Sequence, residues 1–306
     1  MSLQSDIGQR LNSTPLGRIV YRTARGTLHL GRKIMHPGLP SNRGIARVSY
    51  RGKRFEILHR HNYSDLEAIR QCFSEEQYNM PERDHGVLVE RIYQQIVAAG
   101  KKPLIIDCGA NIGASVLWFS ARYPEAHIIA VEPAPDNFTM LQTNCAGVDA
   151  DLKNAGIGPV QGNAHLTDAG WGTMAYRTSY ESVAPPDPSL DASSIAMVTI
   201  ASLLQSKPDS KYIPFLLKID IEGGEGSLFS GDCSAMKRFP LIIMEPHDWM
   251  YPGEGSSLSF FRFHAAAGRE FCMKYENIAS IDMNFALPAE PTPELVTATI
   301  PVTESR

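Results

Sequence analysis

Cysteine is scarce in this 306-residue chain, and its placement excludes more than its number does. The five residues Cys72, Cys108, Cys145, Cys233 and Cys272 stand apart, without the close spacing of a zinc site. An odd, unpatterned set reads as reduced thiols and points to a cytoplasmic protein. Long hydrophobic runs are missing too, so no membrane span is expected. Met1 to Arg10 is polar with no apolar stretch behind it, which argues against a secretory signal. Basic charge is not in excess: 29 Lys+Arg against 33 Asp+Glu gives a formal net charge of -4, which disfavours a nucleic-acid partner. There is no internal repeat and no low-complexity block. The remaining composition, 43% hydrophobic and 20% charged, is that of an ordinary globular protein with a substantial core.

The most informative segment is PLIIDCGANIG, residues 103–113. A short apolar run ends in Asp107, a turn follows with Gly109 and Gly113, and an apolar helical segment begins at Ala114. This is the pattern of a buried parallel strand entering a glycine turn and a helix, where open α/β sheets bind ligands. A second strand, His127 to Val131, ends in Glu132, placed to accept hydrogen bonds from ribose hydroxyls. The turn lacks the G-x-G-x-x-G of a dinucleotide site: Asn111 stands where a small residue would admit a pyrophosphate, and Asp107 would repel one. An acid there suits the ammonium of an amino-acid moiety. The site is therefore expected to take S-adenosylmethionine rather than NAD, with Asp107, Gly109, Asn111, Gly113, Glu132 and Asn163 as cofactor-binding candidates.

A second cluster follows at FLLKIDIEGGE, residues 215–225. Lys218, Asp220 and Glu222 share one direction if the strand stays extended, and three charges beside a strand rarely serve a core. A third apolar strand, Pro240 to Met244, runs into Glu245-Pro246-His247-Asp248. His247 is the first candidate for a general base, with Lys218 and Asp220 as the alternative catalytic pair. Asp220, Glu222 and Glu245 are also candidate oxygen ligands for Mg²⁺. The sequence leaves base and metal both open.

DCGANIG, Glu132, KIDIEGGE and IIMEPH together resemble the FkbM-type methyltransferases, and DLEAIRQCFSEEQYNM (65–80) resembles that family's lead-in. The resemblance covers about residues 65–250. It implies a class I S-adenosylmethionine-dependent methyltransferase acting on hydroxyls of sugars, glycans or polyketide-like metabolites. Gly224 departs from the alanine more usual before the last acid of the motif. The fold expected is α/β: a Rossmann-like, mostly parallel sheet with helices on both faces and an N-terminal β-rich extension. A non-catalytic S-adenosylmethionine-binding scaffold and an NAD-dependent oxidoreductase are the alternatives. The retained charges at 218–225 weigh against the first and Asp107 against the second.

Three regions are expected: an extension over 1–63, a methyltransferase domain over 64–286 and a tail over 287–306. Within the extension, 46–50 and 54–58 flank Arg51-Gly52-Lys53 as a hairpin. A helix starts near a cap at Ser64 or Asp65, and another spans 87–99. Strands and helices then alternate: strand 103–107, helix 113–122, strand 127–131, helix 135–145. Residues 158–200 look irregular, with a Pro-rich loop at 184–188 beside the acceptor pocket. A helix over 224–230, a last helix over 258–268 and a closing strand at 271–275 complete the pattern. Arg18, Arg22, Arg25, Arg32 and Lys33 read as a solvated basic stretch, and Trp171, Tyr176 and Tyr180 as acceptor-stacking or packing aromatics.

Overall fold

The computed structural model describes residues 20–22, 26–29, 42–80, 83–168, 176–180 and 194–288. The expectations for Arg18, Arg25, Arg32, Lys33, Trp171, the 184–188 loop and the tail beyond 288 lie outside them. The chain opens on an antiparallel sheet of β1 (Val20–Arg22), β2 (Gly26–His29), β3 (Arg43–Tyr50) and β4 (Lys53–Arg60). The expected hairpin is β3–β4. Its loop is two residues, because Arg51 and Gly52 both take positive φ (47° and 79°), and Lys53 already pairs with Tyr50.

Helix α1 (Tyr63–Phe73) is capped by Asn62, whose side chain accepts from the Asp65 N–H. Ser64 and Asp65, the expected caps, lie inside the first turn. Asp65 cannot cap because its buried carboxylate accepts from the backbone N–H and guanidinium of Arg60, both at 2.7 Å. Helix α2 (Asp84–Ala98) leads to β5 (Lys102–Cys108), α3 (Ala114–Arg122), β6 (His127–Val131), α4 (Pro135–Asn144) and β7 (Ala150–Lys153). The described part of the 158–200 region is more regular than its sequence suggests. Strands β8 (Gly156–Ile157), β9 (Gly162–Asp168), β10 (Tyr176–Tyr180) and β11 (Ser194–Val198) form a small sheet in the order β10-β9-β11-β8. Then come α5 (Ile200–Gln205), β12 (Tyr212–Ile219), α6 (Glu225–Leu228), β13 (Leu241–Met244), α7 (Leu258–Ala266), β14 (Glu270–Lys274) and β15 (Asn277–Ile281). Helix α6 is only one turn, where 224–230 was expected.

The central sheet runs β14-β15-β13-β12-β5-β6-β7. Neighbouring strands from β13 to β7 are parallel, and β15 runs against both β13 and β14. Strand β12 is buried along its whole length, as a strand covered on both faces should be. Its one irregularity falls between Pro214 and Leu216, beside a residue with no N–H to give the ladder. On one face Ile105, Ile128, Leu216 and Ile243 pack with α1–α4 and with Ala46, Val48, Tyr50 and Ile57 of the hairpin. On the other, Ile106, Ile129, Leu217 and Ile242 pack with α5–α7. The architecture is thus the expected α/β one, a mostly parallel sheet with helices on both faces and N-terminal strands, and the hairpin shares its core. Among the described residues no helix is long and apolar enough to cross a membrane.

Candidate active site

The order of the central sheet reverses between β5 and β12. From β5 the chain winds outward through β6 and β7, and from β12 it winds the other way through β13. Such a switch point opens a crevice at the carboxyl ends of the two strands. Asp107 and Lys218 are partners in register across it. Lys218 Nζ lies 3.1 Å from Asp107 Oδ1 and 3.2 Å from Asp220 Oδ2, and it donates to the Gly109 carbonyl at 2.9 Å. Ser115, in the first turn of α3, donates to Asp107 Oδ2 at 2.6 Å.

This arrangement makes two of the candidate residues each other's partners. Asp107, fully buried, meets the ammonium of Lys218 rather than facing a ligand ammonium. Burial works against the Lys218 charge, but the carboxylates, Asp107 foremost, hold it well above the usual lysine range. Lys218 thus ties the ends of β5 and β12 together.

Gly109 has φ +81°, and a Cβ there would stand 1.8 Å from the Asp220 carbonyl oxygen. The turn after β5 thus lies directly on the turn after β12, and that contact by itself requires glycine at 109. Gly113 (φ +92°) delays the start of α3 to Ala114, and a Cβ there would press on Cys145 Sγ at 2.7 Å.

Glu132 organises the same turn from β6. Its Oε2 accepts from the Asn111 N–H at 2.8 Å, and its Oε1 accepts from the Ala134 N–H at 3.0 Å and from Asn137 Nδ2 at 3.2 Å. With two acceptor positions per oxygen, these three described bonds leave one further position. Burial pushes this carboxyl up to about 7 against the pull of those donors. Asn111 sits at φ +49°, and its Oδ1 is buried without a hydrogen-bond partner. Asn163 is half-buried on β9 opposite Ala196, and no described contact joins it to the other candidates.

The second group converges by a turn rather than along an extended strand. Strand β12 ends at Ile219, and the chain reverses through Glu222 (φ +55°) and Gly223 (φ +95°). That turn carries Asp220 and Glu222 to His247, which follows β13. His247 Nε2 faces Glu222 Oε2 at 3.3 Å, Asp220 Oδ1 at 3.7 Å and Glu245 Oε1 at 3.7 Å. Its Nδ1 bonds to Glu225 Oε1 at 2.9 Å. Burial alone would lower the imidazole, yet Glu225 first, then Asp220 and Glu222, push it up to about 10. These carboxylates favour the protonated ring while nothing else occupies the space between them. Burial, then the charge of Asp220, pushes Glu222 up to about 8 and Glu245 up to about 9.

The expected metal ligands regroup. Ligand atoms of Asp220, Glu222 and His247 lie within 4.8 Å of one another, and Glu245 flanks them. Two contributions are not singled out by the sequence reading. Glu225, fully buried, holds His247 and takes the Ile221 N–H at 3.3 Å; it is the last acid of KIDIEGGE. A cavity of about 80 Å³ opens among Gly109, Asn111, Lys218, Asp220, Glu222 and Glu245. Part of its wall is Glu67, Gln71 and Cys72 of α1, together with Tyr78. That wall comes from the 65–80 segment, whose family-like pattern was its only signal.

Comparison with known proteins finds relatives by sequence and by fold. The model of the methyltransferase FkbM domain matches residues 107–271. Methyltransferase sdnD of Sordaria araneosa is 48% identical over 48 residues, 16% of this chain and 18% of that protein. Methyltransferase 1 of Beauveria bassiana is 28% identical over 145 residues, 42% of this chain and 57% of that protein. Both matches thus span less than two thirds of the relatives' lengths. Among solved structures, the precorrin-6y C5,15-methyltransferase of Geobacter metallireducens aligns with a TM-score of 0.31 at 13% identity, covering 66% of this chain and 90% of that one. The family match takes in more than half of the chain, from Asp107 at the end of β5 through Asp220 and His247 to Phe271 in β14, and on that ground the chain belongs to the FkbM family, with an S-adenosylmethionine-dependent methyltransferase domain.

Proposed function

We propose that this protein methylates a hydroxyl of a sugar, glycan or polyketide-like metabolite, giving an O-methyl ether. The observation that carries the reading is the group of Asp220, Glu222, Glu245 and His247 at the carboxyl ends of β12 and β13, three of which line a cavity beside the glycine turn. A hydroxyl is a poor nucleophile until its proton leaves, and a placed acceptor contributes about 10²–10⁴-fold. S-adenosylmethionine supplies an electrophilic methyl on a cationic sulfur, so that an O–C bond forms as the C–S bond breaks and S-adenosylhomocysteine leaves. The hydroxyl proton goes to the acidic group. A metal-assisted form of the reading would place Mg²⁺ among the oxygens of Asp220, Glu222 and Glu245.

The residues fit the cofactor at two points. Asn111 Oδ1, buried and unpaired on the cavity wall, can accept from an ammonium or a hydroxyl. Glu132 retains an acceptor position for the ribose. Gly109 and Gly113 shape the turn that presents both, and Asn163 is assigned to the same cofactor. We assign methyl transfer to residues 64–286, with 1–63 and 287–306 as an extension and a tail. The acceptor is a small molecule or glycan rather than nucleic acid, and the setting is cytoplasmic.

The test is incubation with S-adenosylmethionine and a panel of hydroxylated acceptors, with products located by mass spectrometry. An O-methyl product supports the reading, while a methyl on nitrogen or carbon overturns it. Asp220→Asn is expected to lower turnover far more than affinity for S-adenosylhomocysteine.

A further inference from the structure

We infer that Asp220, Glu222 and His247 form a site for one divalent transition-metal ion of the Mn²⁺ type, with Glu225 as the residue that positions its imidazole ligand. Ligands about 2.1 Å from an ion and at right angles stand roughly 3 Å apart. Glu222 Oε2 is 3.3 Å from His247 Nε2, and Asp220 Oδ1 is 3.7 Å from it. Small side-chain rotations therefore bring all three atoms into coordination. The cluster is not merely acidic. His247 is buried to 1% exposure, and its Nε2 is aimed into the carboxylates.

Glu225 supplies an independent indication. It is fully buried behind the ring, and its Oε1 takes the Nδ1 side at 2.9 Å. A carboxylate that accepts from one ring nitrogen turns the lone pair of the other toward a metal. Glu245 Oε1 lies 3.7 Å from the same Nε2, so carboxyl oxygens of three residues stand around the one ring nitrogen.

The imidazole decides which ion. Mg²⁺ favours oxygen ligands throughout, whereas a mixed nitrogen and carboxylate set suits Mn²⁺ and its first-row neighbours. The cavity lined by Asp220, Glu222 and Lys218 adjoins these ligand atoms and would admit an acceptor hydroxyl to the ion. The binding claim stands on these residues alone. Only its consequence, an acidified hydroxyl, rests on the methyl-transfer reading.

The experiment is titration of the chelator-treated full chain with Mn²⁺ alone, following the free-ion signal by electron paramagnetic resonance. One equivalent is expected to bind and to remain bound in about tenfold excess Mg²⁺. Asp220→Asn and Glu222→Gln, partly exposed and nearly isosteric, are expected to abolish binding with an unchanged circular dichroism spectrum. Glu225→Gln, which touches no ion, is expected to weaken it about 10–100-fold. No uptake of Mn²⁺, uptake indifferent to these substitutions, or displacement by equimolar Mg²⁺ each overturns the proposal. Calorimetry with S-adenosylhomocysteine on the same sample tests the methyl-transfer reading separately. Mn²⁺ uptake without cofactor binding would sink that reading and support this one.

Discussion

Lys218 Nζ stands 3.1 Å from Asp107 Oδ1 across two adjacent parallel strands, and both side chains are closed off from solvent. Breaking a buried pair by removing one partner leaves an uncompensated charge and costs about 3–5 kcal/mol. Lys218→Met is expected to lose that much stability in urea denaturation. The double variant Asp107→Asn/Lys218→Met should lose less than the two single variants added together, since neither partner is then left charged and alone. Strict additivity would show that the pair is not coupled.

Two glycines with similar backbone angles should respond very differently to alanine. Gly147 has φ +89° and open space around its Cβ position, so Gly147→Ala should cost only about 1 kcal/mol of backbone strain. At Gly109 the new Cβ would lie 1.8 Å from the Asp220 carbonyl oxygen, and the two turns must separate. Thermal denaturation should show Gly109→Ala far below Gly147→Ala, and equal midpoints would refute the packing account.

Glu132 carries a pH dependence whose sign follows from its burial. The carboxyl is raised from 4.5 to about 7 in the folded chain, so the stability its neutral form contributes is complete below 4.5 and lost as pH rises through 7. At about 1.36 kcal/mol per unit, the change is ~3 kcal/mol. Glu132→Gln has no such titration. Measured without cofactor, the stability of wild type relative to the variant should fall by up to ~3 kcal/mol between about pH 4 and pH 8. A constant difference would mean that its hydrogen bonds keep the carboxylate ionised throughout.

A relay of polar groups ties the hairpin to the cofactor turn. Asp65 holds the Arg60 guanidinium at 2.7 Å, Arg60 donates to Asn137 Oδ1 at 2.7 Å, and Asn137 donates to Glu132 Oε1 at 3.2 Å. Asp65→Ala is expected to cost about 3 kcal/mol. It should also weaken S-adenosylhomocysteine binding several-fold in calorimetry, although Asp65 does not line the cavity. Unchanged affinity in the folded variant would show that the relay ends at Asn137.

Much of this is written locally in the chain. The runs before Asp107, Glu132, Asp220 and Glu245 are apolar on both faces, which only a doubly covered parallel strand requires, so the fold class and the side of the sheet that bears charge are readable. The glycine turns and KIDIEGGE are readable for the same reason: their constraints involve neighbours in sequence. Strand β15 and the β8–β11 sheet are not. Their segments are short or half-polar, and such strands form because of the partners they meet.

The site shows the division most clearly. Asp107, Lys218, Glu132 and His247 stand out in the sequence as ionisable groups at strand ends, but what each one touches depends on strand register and on how two turns pack. The sequence alone determined that charges would gather at this edge of the sheet. That Lys218 meets Asp107, that Gly109 makes room for the Asp220 carbonyl, and that Glu225 turns His247 toward Asp220 and Glu222 were decided only by the tertiary structure. Each joins groups from separate strands, and local propensity carries no information about separations set by the packing of a whole sheet.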